Sequence, residues 1–453
     1  MSPGIRRPHQ AVDLDEIARF LAPPPEYYEN DWYAEPEEIE RKQLVRLKER
    51  AMSARHVPFF ARRWAEVGFD PRGITTLEDL WDAPWYTVDD IRKSIDDNPP
   101  WGDYQGVTPD QALTEPMRVW MSGGTTGKSR PTFYTQWDRD AGAVLTARAL
   151  YMQGIRPGDV VLNSWAYGTH NGAFCFDEAL HKWLNCIVIT TGTGNVTSSE
   201  KQVELAIQYG ATAILTTGDY LLRLSEVAQE MGYGPRDLKI RALPNIGDRD
   251  LLESTFGAEC FNSYGFHEVQ WVSVECPAHD GLHIFEDAFV VHVVDPETGE
   301  RLPDGELGSL VITELYKTGS PQFRYNIMDL SYLYPRERCA CGSWLRKMAP
   351  FAGRGDNMVK LRGVNVWPEA VGDIALSVPG VAPDWFVRAV RVDNRDELIL
   401  SVVGDDGIGP AVEAKLRDRL GVKIAVEVVR PGALDAWTEF GTAAKLKRFR
   451  DER

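Results

Sequence analysis

The most constraining feature of the sequence is a repeated alternation of short apolar runs with helical stretches, which begins near residue 116. The run DVVLNSW is followed by GAFCFDEALHKWLN, CIVIT by SSEKQVELAIQYG, and ATAILTT by YLLRLSEVAQEMG. Strands that alternate with helices form βαβ units, whose strands lie parallel in one sheet. The sequence therefore predicts an α/β fold in which a parallel sheet is flanked by helices.

The regions on either side of this alternation differ from it. Residues 35–68 favour a helix that is acidic at its start and basic later, as the helix dipole prefers. After about residue 285, AFVVHVVDPETGERLPDGELGSLVITELY predicts two strands joined by a turn. The last hundred or so residues favour the order strand, helix, strand, strand, helix, strand. We predict a large N-terminal domain over 1–353, with mostly parallel sheets and a small antiparallel barrel-like subdomain, and a small α+β domain over 354–453.

Composition excludes several classes of protein. The 453 residues include 50 Lys+Arg and 67 Asp+Glu, and the net charge of −17 argues against a general nucleic-acid binder. The sequence contains no run of about 18 apolar residues, so no membrane-spanning helix is predicted. The N-terminal residues contain no apolar signal-peptide core, so we expect a cytoplasmic protein without a membrane partner. Six cysteines in such a chain are expected to be thiols or metal ligands.

The stretch WMSGGTTGKSRPT (120–132) has the chemistry of a phosphate-binding loop. It follows a predicted strand, MRVWM, and precedes a predicted helix, WDRDAGAVLTARALYMQG. The P-loop pattern of NTPases needs a glycine where Ser122 stands, so a P-loop NTPase is disfavoured. Glycines allow backbone N–H groups to face a phosphate, hydroxyls add donors and a lysine adds a cation. The candidate nucleotide-binding residues in the loop are Ser122, Gly123, Gly124, Thr125, Thr126, Gly127 and Lys128.

This loop resembles the phosphate loop of the adenylate-forming enzymes, the superfamily of acyl-CoA synthetases, peptide-synthetase adenylation domains and luciferase. A second stretch, NSYGFHEV (262–269), resembles the family motif Y-G-x-T-E. The resemblance places Tyr264 beside the adenine and gives Glu268 to Mg²⁺, a cation that takes oxygen ligands. Gly265 is a further nucleotide-binding candidate in this motif. His267 stands where the family has Thr, and we include it among the catalytic candidates.

Three further motifs follow in the order of the family. FRYNIMDL (323–330) resembles Y-R-T-G-D, which gives Asp329 to the ribose hydroxyls, with Met328 in the place of the usual glycine. GRGDNMVKLRG (353–363) resembles the hinge between the domains, with Arg354 as a nucleotide contact and Asp356 as the pivot. The tail GTAAKLKRFRDER carries Lys445, the candidate catalytic lysine, and Lys447 is the rival. In the same loop as the hinge, Gly363 is expected to swing toward the acyl group.

Within the superfamily, the chain is most similar to the phenylacetate–CoA ligase branch. VNVWPEAV and GELGSLVITEL resemble segments of that branch, and the likeness extends over about residues 35–453. It implies activation of an aromatic carboxylic acid as acyl-AMP, followed by transfer to coenzyme A. It also implies the use of ATP and Mg²⁺ and a mobile C-terminal domain that carries the catalytic lysine.

The segment SWAYGTHNGAF (164–174) corresponds to the acyl-pocket segment of that branch. Aromatic side chains and glycines there suit a flat slot for an aryl ring, although each aromatic residue is equally explained as core. His170 is expected to be structural. The candidate substrate-binding residues are Trp165, Tyr167, Gly168, Phe174 and Trp271.

Three cysteines and a histidine form a candidate zinc site. Cys276 and His283 are spaced C-x6-H, and Cys339 and Cys341 lie in a C-x-C-G stretch. Three thiols and one imidazole suit tetrahedral Zn²⁺, although the C-x-C spacing is tighter than in common zinc motifs. Some members of the ligase branch carry a structural zinc with similar ligands. The alternatives are thiols without metal, or a site that uses one of the nearby residues Cys260, His267 and His279.

Two other functions are considered beside an aryl-acid:CoA ligase. One is an adenylating ligase whose acyl acceptor is an amine, a hydroxyl or a carrier-protein thiol. The other is a non-catalytic nucleotide-binding protein that retains the fold. The sequence decides neither the acid nor the oligomeric state, for which a homodimer is considered.

Overall fold

The computed structural model describes residue 28 and residues 32–122, 129–244, 247–362, 364–392, 395–440 and 446–453. The chain divides into two compact units. Unit 1 comprises Met1–His292, Val311–Ile327 and Leu333–Pro350, and unit 2 comprises Val293–Leu310, Met328–Tyr332 and Phe351–Arg453. The predicted boundary at residue 353 stays a prediction.

The helices are α1 (Pro36–Ala54), α2 (Pro58–Val67), α3 (Val88–Asp97), α4 (Gln136–Met152), α5 (Gly172–Glu178), α6 (Ser199–Tyr209), α7 (Gly218–Glu230), α8 (Arg249–Phe256), α9 (Pro368–Leu376), α10 (Gly409–Leu420) and α11 (Asp435–Thr438). The strands are β1 (Met117–Ser122), β2 (Arg130–Thr135), β3 (Val160–Asn163), β4 (Ile187–Thr190), β5 (Ala213–Leu215), β6 (Ala242–Leu243), β7 (Glu259–Cys260), β8 (Ser263–Phe266), β9 (Gln270–Glu275), β10 (Leu282–Ile284), β11 (Phe289–Val294), β12 (Gly308–Glu314), β13 (Tyr325–Ser331), β14 (Lys347–Met348), β15 (Val359–Leu361), β16 (Val364–Val366), β17 (Val381–Val392), β18 (Arg395–Gly404), β19 (Ala425–Val429) and β20 (Phe449–Asp451).

The predicted βαβ region forms a parallel sheet in the order β4-β3-β5. Successive side chains of a strand point to opposite faces, and both faces of this sheet are covered. Leu162 and Ile214 pack with α6 and α7 on one face. Val161 and Leu215 pack with α4 and α5 on the other. The apolar runs that predicted strands are therefore continuous because both faces are buried.

The glycine loop joins two antiparallel strands, which the sequence analysis did not predict. Strand β2 pairs with β1 from Met117 opposite Thr135 to Ser122 opposite Arg130. The predicted order of strand, loop and helix therefore omitted strand β2, which lies between the glycine loop and helix α4. Helix α4 begins immediately after β2, and the hydroxyl of Thr135 caps it by accepting from the backbone N–H of Asp138.

The single helix predicted over residues 35–68 is wrong, because two helices occupy this stretch. Helix α1 ends at Ala54, and α2 begins at Pro58. Val57 has an extended backbone, with φ −80° and ψ 121°. A residue before proline avoids the helical region, and proline lacks the N–H that would continue α1.

The middle of the chain contributes two further sheets. One has the order β14-β10-β9-β8 with antiparallel neighbours, and the other has the order β11-β12-β13. The two strands predicted after residue 285 are thus β11 and β12, which are neighbours in one sheet. The β8–β9 hairpin carries the Y-G-x-T-E-like motif at its turn.

Most of unit 2 is a four-stranded sheet, β19-β18-β17-β20, with helices α9 and α10 packed on it. Its core includes Val371 from α9, Val387 from β17, Leu400 from β18 and Leu416 from α10. The strand–helix–strand–strand–helix–strand order is observed, and the charged tail adds β20, which pairs with β17. The α/β class is confirmed. None of the described helices combines the length and the apolar composition that crossing a bilayer requires.

Candidate active site

The turn of the β8–β9 hairpin, residues 266–270, carries His267 and Glu268 and is called the Glu268 turn. It is tight, since the N–H of Val269 donates to the carbonyl of Phe266 at 3.2 Å. Gly265 lies at an irregularity in the strand pairing just before this turn. Only glycine fits there, because a Cβ would lie 2.1 Å from the carbonyl oxygen of Gln270. Gln270 has a φ of 66°, a left-handed conformation that non-glycine residues rarely adopt.

The carboxylate of Glu268 is almost buried, and an arginine pairs with it. The Nη2 atom of Arg130 lies 3.2 Å from Oε1 of Glu268, with side-chain exposures of 16% and 10%. Arg130 opens strand β2, directly after the glycine loop. The guanidinium of Arg130, which follows the glycine loop, therefore lies beside the Glu268 carboxylate that the resemblance assigns to Mg²⁺.

His267 is anchored by its backbone. Its carbonyl accepts from the hydroxyl of Tyr134 at 2.9 Å and from Nδ2 of Asn171 at 2.7 Å. Burial lowers the pKa of the His267 imidazole to about 4, although the charge of Glu268 acts in the opposite direction. Its Nε2 atom is buried without a hydrogen-bond partner among the described residues. The imidazole is therefore neutral at pH 7.

The next two carbonyls of the turn are also held by buried side chains. The carbonyl of Glu268 accepts from Nζ of Lys317 at 2.6 Å. The carbonyl of Val269 accepts from the hydroxyl of Tyr316 at 2.8 Å. Both donors follow strand β12 and are buried. Three consecutive carbonyls of the Glu268 turn thus have side-chain donors from other elements.

Two buried carboxylates surround Lys317. Glu314 accepts from the backbone N–H of Lys317 at 2.5 Å, and Asp138 accepts from the backbone N–H groups of Thr318 and Gly319 at 2.6 and 2.7 Å. Burial lowers the pKa of Lys317 to about 8, and both carboxylates oppose this change. Burial raises the pKa of Glu314 to about 7. The arrangement compensates a cation that would otherwise be costly to bury.

The predicted acyl-pocket segment, residues 164–174, lies between β3 and the first turn of α5 and is called the aromatic segment. The rings of Tyr167 and Phe174 lie edge to face with centroids 5.1 Å apart. Trp165 and Trp271 both pack on Phe176, at 5.9 and 5.6 Å, beside the buried core. Part of each of these two tryptophan rings therefore packs against the core.

Tyr167 and Gly168 differ from the tryptophans. The hydroxyl of Tyr167 accepts from Nδ2 of Asn163 at 2.7 Å and donates to Asp177 at 3.2 Å, so its ring is fixed in place. Gly168 is exposed, and a Cβ built there meets no described atom within 4 Å. His170 is exposed, and its ring centroid lies 6.1 Å from that of His267.

The glycine loop itself is described only at its flank. Ser122 is 5% exposed, and its hydroxyl accepts from the backbone N–H of Arg130 at 3.4 Å. The other predicted loop residues lie outside the described residues, namely Gly123, Gly124, Thr125, Thr126, Gly127 and Lys128. Tyr264 is buried, and its ring centroid lies 6.3 Å from that of Phe266.

In unit 2, Asp329, Arg354 and Asp356 form one cluster, called the hinge cluster. Nη1 of Arg354 donates to Asp329 at 3.1 Å, and Nε and Nη2 of Arg354 donate to Asp356 at 2.7 and 2.6 Å. The three residues predicted from two separate motifs are thus together. Met328, where the family has glycine, has a φ of 65°. The backbone keeps the glycine-type conformation although the side chain has changed.

The two candidate lysines differ in what can be said of them. Lys445 and Gly363 lie outside the described residues. Lys447 forms an ion pair with Glu439, and its backbone N–H donates to the carbonyl of Thr438 at 2.9 Å. Because Lys447 is engaged locally, the contacts favour Lys445 as the residue for catalysis, which stays a prediction.

The four predicted zinc ligands converge in unit 1. The donor atoms of Cys276, His283, Cys339 and Cys341 all lie within 4.8 Å of one another. In this thiol–imidazole cluster, Cys276 directly follows β9, His283 lies on β10, and Cys339 and Cys341 lie in the loop before β14. The alternatives Cys260, His267 and His279 are not members of this group.

The spacing inside the thiol–imidazole cluster fits a tetrahedral ion. With Zn–S of about 2.3 Å and Zn–N of about 2.0 Å, tetrahedral geometry requires S···S of roughly 3.8 Å and S···N of roughly 3.5 Å. The Sγ atoms of Cys276 and Cys339 are 3.7 Å apart, and Sγ of Cys341 is 3.6 Å from Nε2 of His283. Nδ1 of His283 donates to the carbonyl of Leu345 at 3.1 Å, which directs Nε2 to the thiols. The hydrogen bond from Cys276 lowers the pKa of Cys341.

Comparison with known proteins agrees with the resemblance read from the motifs. Residues 363–453 match the family described as AMP-binding enzyme C-terminal domain. The phenylacetate–coenzyme A ligase of Thermus thermophilus is 32% identical over 457 residues, which cover 92% of this chain and 99% of the relative. The chain belongs to the phenylacetate–coenzyme A ligase family. The Pseudomonas putida member is 34% identical over 377 residues, with coverage of 80% and 81%.

A solved structure supports the same conclusion. The crystal structure of 2-hydroxyisobutyryl-CoA ligase in the postadenylation state, in complex with 2-HIB-AMP, has 25% identity and a TM-score of 0.82. The matched region covers 95% of this chain and 94% of the chain of that ligase. As a member of the phenylacetate–CoA ligase family, the chain is an AMP-forming acid–thiol ligase. This favours a ligase over the non-catalytic alternative.

Several residues around the Glu268 turn were missed by the sequence analysis of this family member. The missed residues are Arg130, Tyr134, Asn171, Tyr316 and Lys317. They come from three separate places in the chain, namely strand β2, Asn171 and residues 316–317, so no local motif joins them. Only Lys317 carried a signal, as a lone lysine between the apolar run LVITEL and the motif FRYNIMDL.

Proposed function

We propose that the protein activates an aromatic carboxylic acid with ATP as an acyl-adenylate and then transfers the acyl group to coenzyme A. One observation carries the proposal. Nδ2 of Asn171, in the aromatic segment, donates to the carbonyl of His267 in the Glu268 turn at 2.7 Å. The segment proposed to bind the acyl group and the turn proposed to serve the phosphates are therefore joined directly within unit 1.

In the first step, a carboxylate oxygen of the acid attacks the α-phosphorus of ATP. The bond from this phosphorus to the bridging oxygen breaks, and pyrophosphate leaves with the electron pair. The product is a mixed anhydride, whose AMP is a far better leaving group than oxide. Negative charge increases on the phosphate oxygens, so cations placed there lower the barrier.

Glu268 and Arg130 are proposed to act on this charge. The carboxylate of Glu268 fits Mg²⁺, which commonly takes one or two protein carboxylates together with substrate phosphates. Mg²⁺ bound there would neutralise phosphate charge. Arg130 pairs with Glu268 and lies at the end of the glycine loop, so its guanidinium is also suited to a phosphate oxygen.

The remaining nucleotide contacts are proposed from the resemblance. Ser122 and the glycine loop hold the outer phosphates, Tyr264 lies by the adenine, and Asp329 accepts from the ribose hydroxyls. Lys445 contacts the carboxylate and the α-phosphate. In the second step the coenzyme A thiol loses its proton, its sulfur attacks the acyl carbon, and AMP leaves. We propose that the backbone at Asp356 changes conformation between the two steps.

An aromatic acid is favoured by the composition of the aromatic segment. Tyr167 and Phe174 form an edge-to-face pair, and Gly168, the next residue after Tyr167, leaves open space around its Cα. Aromatic rings prefer offset or edge-to-face neighbours, which such a pair offers to an aryl substrate. The structurally similar 2-hydroxyisobutyryl-CoA ligase was crystallised in complex with 2-HIB-AMP, so small hydroxy acids are the natural competitors in a test.

A panel assay of pyrophosphate release tests the proposal. Benzoates, phenylacetates, their hydroxy and amino derivatives, and 2-hydroxyisobutyrate are each offered with ATP, with and without coenzyme A. We expect at least one aryl acid to exceed 2-hydroxyisobutyrate in kcat/KM by about tenfold or more, with AMP and acyl-CoA as products. Preference for the small hydroxy acid, or AMP release that needs an amine, would contradict the proposal.

A matched pair of glycine variants tests the location of the acyl pocket. Gly168→Val places a branched side chain in the open space of the aromatic segment, and Gly73→Val does so at an exposed site outside it. We expect the first to lower kcat/KM for aryl acids by about tenfold with little change in the KM of ATP. Equal effects of the two variants would exclude Gly168 from the pocket.

The thiol–imidazole cluster is proposed to hold one structural Zn²⁺, which would contribute to folding rather than to the reaction. Metal analysis of purified protein is expected to find about one zinc per chain. Cys341→Ser is expected to lose the metal and to unfold at a lower temperature. Cys186→Ser, a buried cysteine outside the cluster, is the control and keeps the metal. Absence of zinc from the unmodified protein would exclude the site.

A further inference from the structure

Lys317 is a fully buried cation that the motifs of the family do not explain. Its relative exposure is 0%, and its Nζ atom lies 3.8 Å from the centroid of the Tyr134 ring. Lysine is almost never buried in this way unless its charge is compensated. The compensating carboxylates, Asp138 and Glu314, are themselves engaged with backbone N–H groups. Nζ of Lys317 donates to the carbonyl of Glu268, and this hydrogen bond connects the buried ammonium to the Glu268 turn.

Two peptide planes on either side of Glu268 are fixed by this arrangement. The carbonyl before Glu268 belongs to His267 and is held by Tyr134 and Asn171. The carbonyl of Glu268 itself is held by Lys317. Because each peptide unit is planar, fixing both planes fixes φ and ψ of Glu268 and hence the direction of its Cα–Cβ bond. The carboxylate can then vary only by side-chain rotation, which burial and Arg130 restrict.

We propose that Lys317, together with Tyr134, is a positioning residue for adenylation, which aims the carboxylate of Glu268 at the Mg²⁺ of the bound nucleotide. The inference rests on the proposed function, since it assumes that Glu268 holds Mg²⁺. Neither side chain needs to touch the nucleotide. Displacement of a catalytic group by about 1 Å is enough to lower a rate about 100-fold. A donor that holds the backbone of the carboxylate residue therefore has a large effect on the reaction.

The test replaces Lys317 by methionine, which keeps the length of the side chain and removes the donor and the charge. We measure pyrophosphate–ATP exchange as a function of Mg²⁺, together with the KM of ATP and the unfolding temperature. Arg148→Met is the control, because Arg148 is a buried cation of unit 1 that pairs with Asp287 rather than with the turn.

For Lys317→Met we expect kcat to fall about tenfold or more and the half-saturating Mg²⁺ concentration to rise several-fold, with a change of less than about twofold in the KM of ATP. Arg148→Met is expected to lower the unfolding temperature and to leave these parameters within about twofold for the folded enzyme. If Lys317→Met gives the same result as Arg148→Met, Lys317 is only structural and the inference is wrong.

Tyr134→Phe supplies a second test if Lys317→Met does not fold. It keeps the ring under the ammonium and removes the hydroxyl bond to the His267 carbonyl. A smaller rise in the Mg²⁺ requirement is expected, because Asn171 still holds that carbonyl. An unchanged Mg²⁺ requirement would overturn the positioning role.

Glu268→Gln separates this inference from the proposed function. If this substitution leaves the Mg²⁺ requirement unchanged, the role proposed for Glu268 is wrong, and the inference falls with it. If it raises the requirement while Lys317→Met and Tyr134→Phe do not, only the inference is wrong.

Discussion

The Glu268 turn and the hinge cluster both contain carboxylates that we propose to contact the nucleotide, but the two sites are held in opposite ways. Buried donors from several elements hold three consecutive carbonyls of the turn. In the hinge cluster, Arg354 holds Asp329 and Asp356, and the side chains of Arg354 and Asp356 are 35% and 41% exposed. Exposed ion pairs are weak and are screened by salt. Buried hydrogen bonds are stronger, and salt screens them much less. We infer that the turn keeps one geometry while the hinge cluster can exchange partners.

The largest expected effect is on the turn. Glu268→Gln removes the carboxylate proposed for Mg²⁺ while preserving shape, and we expect pyrophosphate exchange to fall about 1,000-fold, or about 4 kcal/mol. Glu286→Gln is the control, since Glu286 is also a buried, arginine-paired glutamate of unit 1. Its exchange activity per folded molecule should stay near that of the unmodified enzyme. Equal losses in both variants would remove the distinction between the turn and other buried ion pairs.

A second prediction compares buried and exposed carboxylates by stability. Burial raises the pKa of Asp287, but Arg148 and Arg46 outweigh it, so its pKa lies below the ordinary value. Such a group stabilises the fold above its unfolded pKa, about 3.9, and less as the pH falls through the folded pKa. Asp287→Asn is therefore expected to cost about 3 kcal/mol of unfolding free energy at pH 7 and less below about pH 4.

The exposed partner in this comparison is Asp356→Asn, for which we expect a cost below about 1 kcal/mol at pH 7. Urea unfolding of both variants at pH 7 and at about pH 3 provides the measurement. If the two substitutions cost the same at pH 7, exposure does not distinguish the buried ion pair of Asp287 from the exposed one of Asp356.

The third prediction concerns the backbone of the hinge cluster. Asp356→Pro fixes φ at this residue, so it should spare acyl-adenylate formation and slow thioester formation about tenfold, or about 1.4 kcal/mol. Asp356→Ala removes the same carboxylate without restricting the backbone and serves as the control. The two half-reactions are measured separately by rapid quench. A proline variant in which both half-reactions survive equally would refute the hinge assignment.

The smallest effect is expected at Met328, which has a φ of 65° beside the hinge cluster. Met328→Gly should relieve left-handed backbone strain and stabilise the protein by about 1 kcal/mol. Met358→Gly is the control, because Met358 is similarly half-buried and has a φ of −62°. It should destabilise the protein in thermal unfolding. Destabilisation by both substitutions would show that the side chain of Met328 is needed more than the glycine conformation.

How much was predictable from the sequence depended on whether the signal was local. The Y-G-F-H-E, F-R-Y-N-I-M-D-L and G-R-G-D motifs are short patterns, so the sequence alone indicated Glu268, Asp329 and Asp356 as candidates, and their roles stay predictions. The candidate zinc ligands Cys276 and Cys341 are far apart in the chain, but their residue types alone suggested a zinc site. Strand β2 was missed because SRPTFYT contains a proline and follows a loop that suggested a helix start.

The support of the Glu268 turn was not predictable, because it depends on tertiary contacts. Tyr134, Asn171 and Lys317 reach one turn from three elements, and each has an ordinary local explanation as strand, cap or loop residue. The helix break at Pro58 is different, since proline carried a local signal that the prediction of one helix overlooked. Long-range hydrogen bonds, unlike prolines, leave no pattern of spacing in the sequence.

The central claim is that a mixed anhydride forms before the thiol reacts. The most direct test mixes the enzyme with ATP, Mg²⁺ and the best acid of the panel in the absence of coenzyme A, and identifies the products after a single turnover. We expect pyrophosphate and acyl-AMP in equal amounts, with acyl-CoA and AMP appearing when coenzyme A is added. Formation of ADP and phosphate, or no pyrophosphate until coenzyme A is present, would contradict it.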